Sequence, residues 1–185
     1  MIKSIINNLK KRFVLFLNNK TNNEYLTKIY LENLKKKLIQ EKRNHYALEG
    51  FKVYSQNDED GIIEAIFKDI GITNKIFCEI GIGDTIENNT HYLLLKNWKG
   101  IWIDSNSKSI LNLSKKIKKD QNKLDLITKK IYPDNIDKTI KDSKILTENK
   151  IKEIDFFSID IDSFDLDCVN NLKSISPRLI CIEYN

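Results

Sequence analysis

The chain has 185 residues, of which 41% are hydrophobic and 31% charged, which is typical of a globular protein and excludes disordered and collagen-like chains. That length suffices for one domain with a core and an appendage, but hardly for two full domains. The net charge of +5 is uneven: residues 1–50 hold 11 Lys and Arg against 4 Glu, whereas residues 51–185 hold 20 basic and 22 acidic side chains. A nucleic-acid-binding domain places a basic patch on its contacting surface. The nearly neutral net charge of residues 51–185 therefore argues against nucleic acid as a partner.

Residues 1–50 are predicted to form a basic helical leader, since apolar side chains recur at helical spacing over 5–17 and 25–38. One interpretation is that these helices pack on the main domain or on a second subunit of a homo-oligomer. The alternative is a basic amphipathic helix that rests on an anionic membrane surface. The apolar run 13–17 is far too short to span a bilayer, and no small-residue cleavage site follows it. The chain is therefore predicted to be cytoplasmic, with peripheral membrane contact as the alternative.

From residue 51 onward, helices and strands alternate in the predicted order. The elements are a helix closed by Gly71, a strand at 76–80, a helix at 87–98, a strand at 100–104, a helix at 106–119, a weak strand at 124–128, a helix at 134–143 and strands at 155–160 and 178–184. Such alternation predicts right-handed βαβ units and a parallel sheet. Two of the strands are apolar on both faces, as strands covered by helices on both sides are. Domain 51–185 is thus predicted to be a doubly wound α/β domain.

Acidic residues follow the predicted strands at their carboxyl ends, where open parallel sheets bind their ligands. The strand ends read Glu79-x-Gly81-x-Gly83-Asp84, Asp104, Asp160-x-Asp162 and Glu183-x-Asn185. Gly81 and Gly83 allow a sharp turn and a close approach of the backbone to a ligand. Asp104 follows Gly83 by 21 residues, the place for a carboxylate that accepts hydrogen bonds from the ribose hydroxyls of an adenosine cofactor.

Two details favour S-adenosylmethionine (SAM) over a dinucleotide. Ile86 stands where the dinucleotide pattern requires its third glycine. The acids Glu79 and Asp84 bracket the turn, and they suit a cationic sulfonium and ammonium group better than a pyrophosphate, which they would repel. The three cysteines form no CxxC pair and only two histidines are present, which argues against a zinc site.

The order of these motifs resembles the FkbM-like family of SAM-dependent methyltransferases. The resemblance covers about residues 53–185 and rests on Tyr54-Ser55-Gln56 with Glu59-Asp60-Gly61-Ile62-Ile63, on Glu79 to Asp84, Glu87-Asn88-Asn89-Thr90, Trp98 to Asp104, Ser158 to Asp162 and Pro177 to Asn185. It implies O-methylation of a hydroxyl, commonly on a sugar in bacterial surface-polysaccharide biosynthesis. A complete fold of this kind has two further strands and a helix, so the resemblance predicts that the chain is truncated after the fifth strand.

Pattern and resemblance together predict the site residues and the strand order 3-2-1-4-5. The predicted cofactor contacts are Gln56, Glu79, Gly81, Gly83, Asp84, Asn89, Asp104 and Ser105. Asp160 and Asp162 are the predicted catalytic acids, with Asp160 facing the methionine end of SAM or acting as general base. Asp160, Asp162 and Glu183 also offer hard oxygen ligands for Mg²⁺ beside a small-molecule or glycan acceptor.

The sequence is also compatible with two other functions. The first is a non-catalytic SAM-fold module that acts through a partner chain, which the predicted truncation and an exposed fifth strand favour. The second is a nucleotide-sugar or NAD enzyme on the same architecture, against which Ile86 and the acidic turn argue.

Overall fold

The computed structural model describes residues 25–83, 87–117 and 122–183, and the chain divides into two compact units, Met1–Leu48 and Glu49–Asn185. Residues 25–40 of the first unit form helix α1, and a short 3-10 helix spans Tyr46–Glu49. The helices of the second unit are α2 (Glu59–Ile70), α3 (His91–Leu95), α4 (Ser107–Lys116), α5 (Ile136–Lys141), α6 (Lys144–Asn149) and α7 (Asp165–Asn170). Its strands are β1 (Ile76–Ile80), β2 (Lys99–Asp104), β3 (Leu124–Thr128), β4 (Glu153–Ile159) and β5 (Ser176–Ile182). No helix in the described ranges has the length and apolar character needed to cross a membrane.

The five strands form one parallel sheet in the order β3-β2-β1-β4-β5. This confirms the predicted α/β architecture and its strand order. The order reverses at β1, which lies between β2 and β4, so the carboxyl end of β1 is the switch point where parallel sheets of this kind bind ligands.

Apolar side chains cover both faces of the sheet, because successive residues of a strand point to opposite sides. One face packs on α2, α3 and α4 through a cluster that includes Phe67, Phe77, Leu94, Trp102 and Phe156. The other face packs on α5, α6 and α7 through Ile80, Ile103, Ile140, Leu146 and Phe157. Helix layers on both faces make the sheet doubly wound.

The helix predicted at 87–98 is wrong in length, because only His91–Leu95 is helical. Residues 87–90 form an irregular loop that side-chain hydrogen bonds hold: Asn88 Oδ1 accepts one from the N–H of His91, the first residue of α3 (2.9 Å), and the Thr90 hydroxyl bonds Glu79. Helices α6 and α7, of six residues each, were not predicted.

A buried ion pair holds the opposite, amino-terminal edge of the sheet. The carboxylate of Asp155 is fully buried, accepts hydrogen bonds from the backbone N–H groups of Thr73, Asn74 and Lys75, and pairs with Arg178 at 2.8 Å. Burial alone would raise the pKa of Asp155, but the Arg178 guanidinium and the backbone donors outweigh it and lower the pKa. Polar contacts therefore stabilise the amino-terminal edge of the sheet, and the expected ligand site lies at the opposite, carboxyl edge.

Candidate functional site

Two clefts open along the carboxyl edge of the sheet. Cleft A, about 560 Å³, is lined among others by Gly81, Gly83, Asp104, Ser105, Asp160 and Asp162. Cleft B, about 370 Å³, is lined among others by Gln56, Glu79, Gly81, Asn89, Asp160 and Glu183. Both volumes lie in the range of small-molecule sites, about 300–1,000 Å³. The structure thus brings the predicted site residues to these clefts, except Asp84, which lies outside the described residues.

Gly81 lies where the two clefts meet, since it and Asp160 line both. Its φ is +86°, its N–H donates to the Ile103 carbonyl at 2.9 Å, and a Cβ on it would collide with the carbonyl oxygen of Asp160. Gly83 also has a positive φ, +56°, but a Cβ there would meet no described atom within 4 Å. Gly81 therefore allows β1 and β4 to approach closely at the turn, whereas at Gly83 only the positive φ, and no contact with a described residue, favours glycine.

Asp104 ends β2 and lies at the side of cleft A. Its Oδ2 accepts a hydrogen bond from the Gly83 N–H at 2.9 Å, and its Oδ1 accepts one from the Asn106 N–H at 2.7 Å. Each carboxylate oxygen can accept a second hydrogen bond. The glycine turn thus orients this carboxylate and leaves it able to bind further donors in the cleft.

Glu79 is buried at the floor of cleft B, with 4% of its surface exposed. The strand register places it between Trp102 of β2 and Ser158 of β4. Its Oε1 accepts from the Asn89 N–H at 2.9 Å and its Oε2 from the Thr90 hydroxyl at 2.5 Å. That hydroxyl also accepts from Trp102 Nε1 at 2.6 Å. This carboxyl group therefore fixes the loop at residues 87–90 against the sheet.

Burial raises the pKa of Glu79 to about 7, against the lowering effect of its Thr90 and Asn89 hydrogen bonds. The folded chain then holds this proton more tightly than the unfolded chain, in which glutamate titrates near 4.5. The contribution of this group to stability is complete below pH 4.5 and is lost as the pH rises through 7. Across that window, we expect the free energy of unfolding to fall by roughly 3 kcal/mol more in the wild type than in Glu79→Gln, measured by urea denaturation. Parallel pH curves for the two proteins would contradict this expectation.

The segment at residues 53–57, which carries Gln56, is held by the buried side chain of Asp60. Asp60 Oδ2 accepts hydrogen bonds from the N–H groups of Val53, Tyr54 and Ser55 at 2.7–2.9 Å. The Ser55 hydroxyl in turn accepts from the Asp60 N–H at 3.1 Å, a reciprocal arrangement at the start of α2. The structure thereby explains the spacing of Ser55, Gln56 and Asp60: the serine and the aspartate fix the segment, and Gln56 lines cleft B.

Asn88 and Asn89 have different environments in the loop at residues 87–90. Asn89 Nδ2 donates to the Ser158 hydroxyl at 3.1 Å, so this side chain bridges the loop to β4. Asn88 is 5% exposed and lines cleft B, and its Nδ2 has no hydrogen-bond partner among the described residues. A buried amide without a partner is costly, and this one adds a donor at the wall of a polar cleft.

The carboxylates of Asp160, Asp162 and Glu183 come together where β4 and β5 end, with one oxygen of each within 4.8 Å of the others. Asp160 is exposed, yet partial desolvation, then the negative charge of Glu183 and of Asp162, raise its pKa to about 6. A carboxyl group with that pKa is ionised at neutral pH and accepts a proton more readily than an ordinary aspartate. The cluster lies at the junction of the clefts, since Asp162 lines cleft A and Glu183 lines cleft B.

Three carboxylate oxygens at this spacing fit part of the octahedral shell of Mg²⁺, which takes oxygen ligands and usually retains several waters. Magnesium here stays a prediction of the sequence. For the methyl transfer that the sequence predicts, the consequence is that EDTA lowers its rate and that added Mg²⁺ restores it, measured with labelled SAM. Activity unchanged by EDTA would reject the metal.

Two exposed aromatic rings that the sequence did not single out also line cleft A. Tyr132 follows β3 and Phe164 follows β4; their exposed fractions are 38% and 44%, and their ring centroids lie 6.3 Å apart. Lys129 lies on the same wall. In the sequence, the signal for these two residues is an aromatic side chain shortly after a predicted strand. That signal is weak, because most aromatic side chains pack in cores.

Comparison with known proteins adds no identification. No model of a known protein family matches the sequence, and no curated protein matches it. The geometry of the two clefts and the resemblance of the motifs are therefore the grounds for assigning a function.

Proposed function

We propose that the α/β domain binds SAM across the two clefts and transfers its methyl group to a hydroxyl of a sugar or glycan precursor. The observation that carries the proposal is the position of Asp104. This carboxylate is oriented by the glycine turn at the switch point of the sheet and lies beside a cleft that continues past Gly81 into a second one. The resemblance to FkbM-like methyltransferases supports the same function.

The residues of the clefts fit the chemistry of SAM. Asp104 would accept hydrogen bonds from the ribose hydroxyls, and Gly83, which lines cleft A without a side chain, would let a ligand approach the backbone. Past Gly81, the carboxylates of Asp160 and Glu183 give cleft B a negative potential that suits the ammonium and sulfonium groups. The same potential would repel the pyrophosphate of NAD.

When bound, SAM supplies an electrophilic methyl group that reacts without further activation. The protein has to align an acceptor oxygen with that group and receive the hydroxyl proton. Asp160 lies at the junction of the clefts, and its pKa of about 6 suits a general base near neutral pH. As the oxygen–methyl bond forms and the sulfur–methyl bond breaks, the proton would pass to the Asp160 carboxylate.

Cleft B also indicates which acceptors fit. Its wall combines the amide side chains of Gln56, Asn57 and Asn88 with the carboxylates of Glu59 and Glu183. Amides and carboxylates together hydrogen-bond the hydroxyl groups of a sugar, whereas the carboxylates disfavour an acceptor with a phosphate or carboxylate near the reacting hydroxyl. We therefore propose a neutral or amine-bearing sugar as the acceptor.

The exposed rings of Tyr132 and Phe164 provide a stacking surface for adenine in cleft A. Stacking of a base on an aromatic side chain is worth about 1–3 kcal/mol, so we expect Phe164→Ala to weaken S-adenosylhomocysteine binding by roughly tenfold, measured by calorimetry. Leu166→Ala is the matched control, because Leu166 is 64% exposed on α7 and does not line the cleft. Equal affinity of the two variants would mean that the adenine lies elsewhere.

The direct test of the function is transfer of a labelled methyl group from SAM to a panel of neutral, amine-bearing and anionic sugars. Label in a neutral or amine-bearing sugar, lost in Asp160→Asn, is the expected result. SAM binding without transfer to any sugar would instead favour a non-catalytic module that acts through a partner chain.

A further inference from the structure

The proposed function leaves one group of the cofactor without a partner. SAM carries a carboxylate next to the ammonium group at its methionine end, and the acids of cleft B that suit the ammonium group repel this carboxylate. No Lys, Arg or His stands among the described residues that line cleft B, so side-chain amides are its strong side-chain donors. These amides belong to Gln56, Asn57, Asn88 and Asn89.

Asn88 differs from the other three amides in having a buried donor without a partner. Gln56 and Asn57 are exposed, so water can hydrogen-bond their amides, and Asn89 Nδ2 donates to the Ser158 hydroxyl at 3.1 Å. Asn88 is 5% exposed, and its Nδ2 has no hydrogen-bond partner in the described part of the chain. A buried donor without a partner costs free energy, which a ligand in cleft B regains by placing an acceptor there.

The other contacts of Asn88 fix the orientation of its amide. Its Oδ1 accepts a hydrogen bond from the His91 N–H at 2.9 Å, and its backbone N–H donates to the Tyr54 carbonyl at 3.0 Å. The next N–H along the chain, that of Asn89, donates to the buried carboxyl group of Glu79. Since the oxygen of the Asn88 amide is committed to the start of α3, the nitrogen is the end of the amide left for the cleft.

We propose that Asn88 Nδ2 donates a hydrogen bond to the carboxylate at the methionine end of SAM. The inference rests on the proposed function and adds that cleft B recognises an α-amino acid, with the ammonium group beside Asp160 and Glu183 and the carboxylate on Asn88. A charged acceptor forms a stronger hydrogen bond than a sugar hydroxyl does, which favours the carboxylate as the partner. The second N–H of the same amide remains available to a sugar hydroxyl.

The test is calorimetric titration of wild type and Asn88→Asp with S-adenosylhomocysteine and with its decarboxylated analogue, which keeps the amine and the adenosine. The aspartate retains an oxygen for the His91 N–H and replaces the donor by an oxygen that repels a carboxylate. We expect the variant to bind S-adenosylhomocysteine roughly 100-fold more weakly, since a hydrogen bond to a charged group is worth about tenfold or more and the new charge adds repulsion. The analogue is expected to bind the variant at least as tightly as it binds the wild type.

Two controls separate this contact from a change in folding or in net charge. A variant in which the loop at residues 87–90 was merely distorted would lose affinity for both ligands by the same factor. Asn97→Asp makes the same change in net charge at an exposed asparagine outside both clefts, where Lys123 Nζ contacts its Oδ1 at 3.2 Å. We expect Asn97→Asp to bind both ligands as the wild type does.

Three results would overturn the proposal. The first is an equal loss of affinity for both ligands in Asn88→Asp, which would give the residue a purely structural role. The second is unchanged affinity for S-adenosylhomocysteine with a raised KM for the sugar, which would assign the amide to the acceptor. The third is failure of the wild type to bind either ligand, which would contradict the proposed function itself and this inference with it.

Discussion

Asp104→Ala is expected to weaken S-adenosylhomocysteine binding by roughly 100-fold. The variant loses a carboxylate that would accept charge-assisted hydrogen bonds from two ribose hydroxyls, each worth about 1.5–3 kcal/mol. It also leaves the N–H groups of Gly83 and Asn106 without the acceptor that orients the glycine turn. Calorimetric titration of wild type and variant measures the change.

Asp125→Ala is the matched control for that experiment. Asp125 lies on the neighbouring strand β3, and its carboxylate also accepts a backbone hydrogen bond, from the Lys144 N–H at 2.7 Å, but it does not line cleft A. We expect this control to lose some stability and to bind S-adenosylhomocysteine as the wild type does. Equal affinity of Asp104→Ala and Asp125→Ala would remove Asp104 from the binding site.

Gly81→Ala is expected to lower the free energy of unfolding by roughly 4 kcal/mol and to abolish ligand binding. Two costs combine: a side chain at a φ of +86°, and a Cβ that collides with the carbonyl oxygen of Asp160. Relief of the collision requires β4 to move away from β1 at the junction of the clefts. Urea denaturation gives the stability, and calorimetry gives the loss of binding.

Gly71→Ala separates the collision from the backbone strain. Gly71 has a φ of +75° at the end of α2, and a Cβ there would meet no described atom within 4 Å. We expect this variant to lose about 1–3 kcal/mol of stability and to keep ligand binding. If Gly81→Ala were no less stable than Gly71→Ala, the close approach of β1 and β4 would not matter to the fold.

The sheet was predictable from the sequence because its inner strands β1, β2 and β4 are buried on both faces. Residues 76–78 and 101–103 are continuous apolar runs between helical patterns, and such strands occur in parallel sheets. The short helices were not predictable in the same way. In α3, local side-chain bonds of Asn88 and Thr90 delay the start of the helix, and those bonds depend on partners that the sequence does not place.

The candidate site was predictable where it depends on strand ends alone. Neighbouring parallel strands bring Asp160 and Glu183 together, and the sequence contains that information. The bonded chain from Trp102 through Thr90 to Glu79 depends on the register of β1 and β2 and on the path of a loop. The pairing of the Tyr132 and Phe164 rings in cleft A depends on how the loops after β3 and β4 meet, which no local pattern encodes.

The measurement that tests the central claim most directly is calorimetric titration of the full chain with S-adenosylhomocysteine, with NAD and a nucleotide-sugar as parallel ligands. The two clefts that meet at Gly81, of which cleft B is lined by carboxylates and, within the described ranges, by no basic side chain, should bind S-adenosylhomocysteine and neither of the two pyrophosphate-bearing ligands. Binding of NAD or the nucleotide-sugar in its place, or no binding of S-adenosylhomocysteine by the folded chain, would contradict the account.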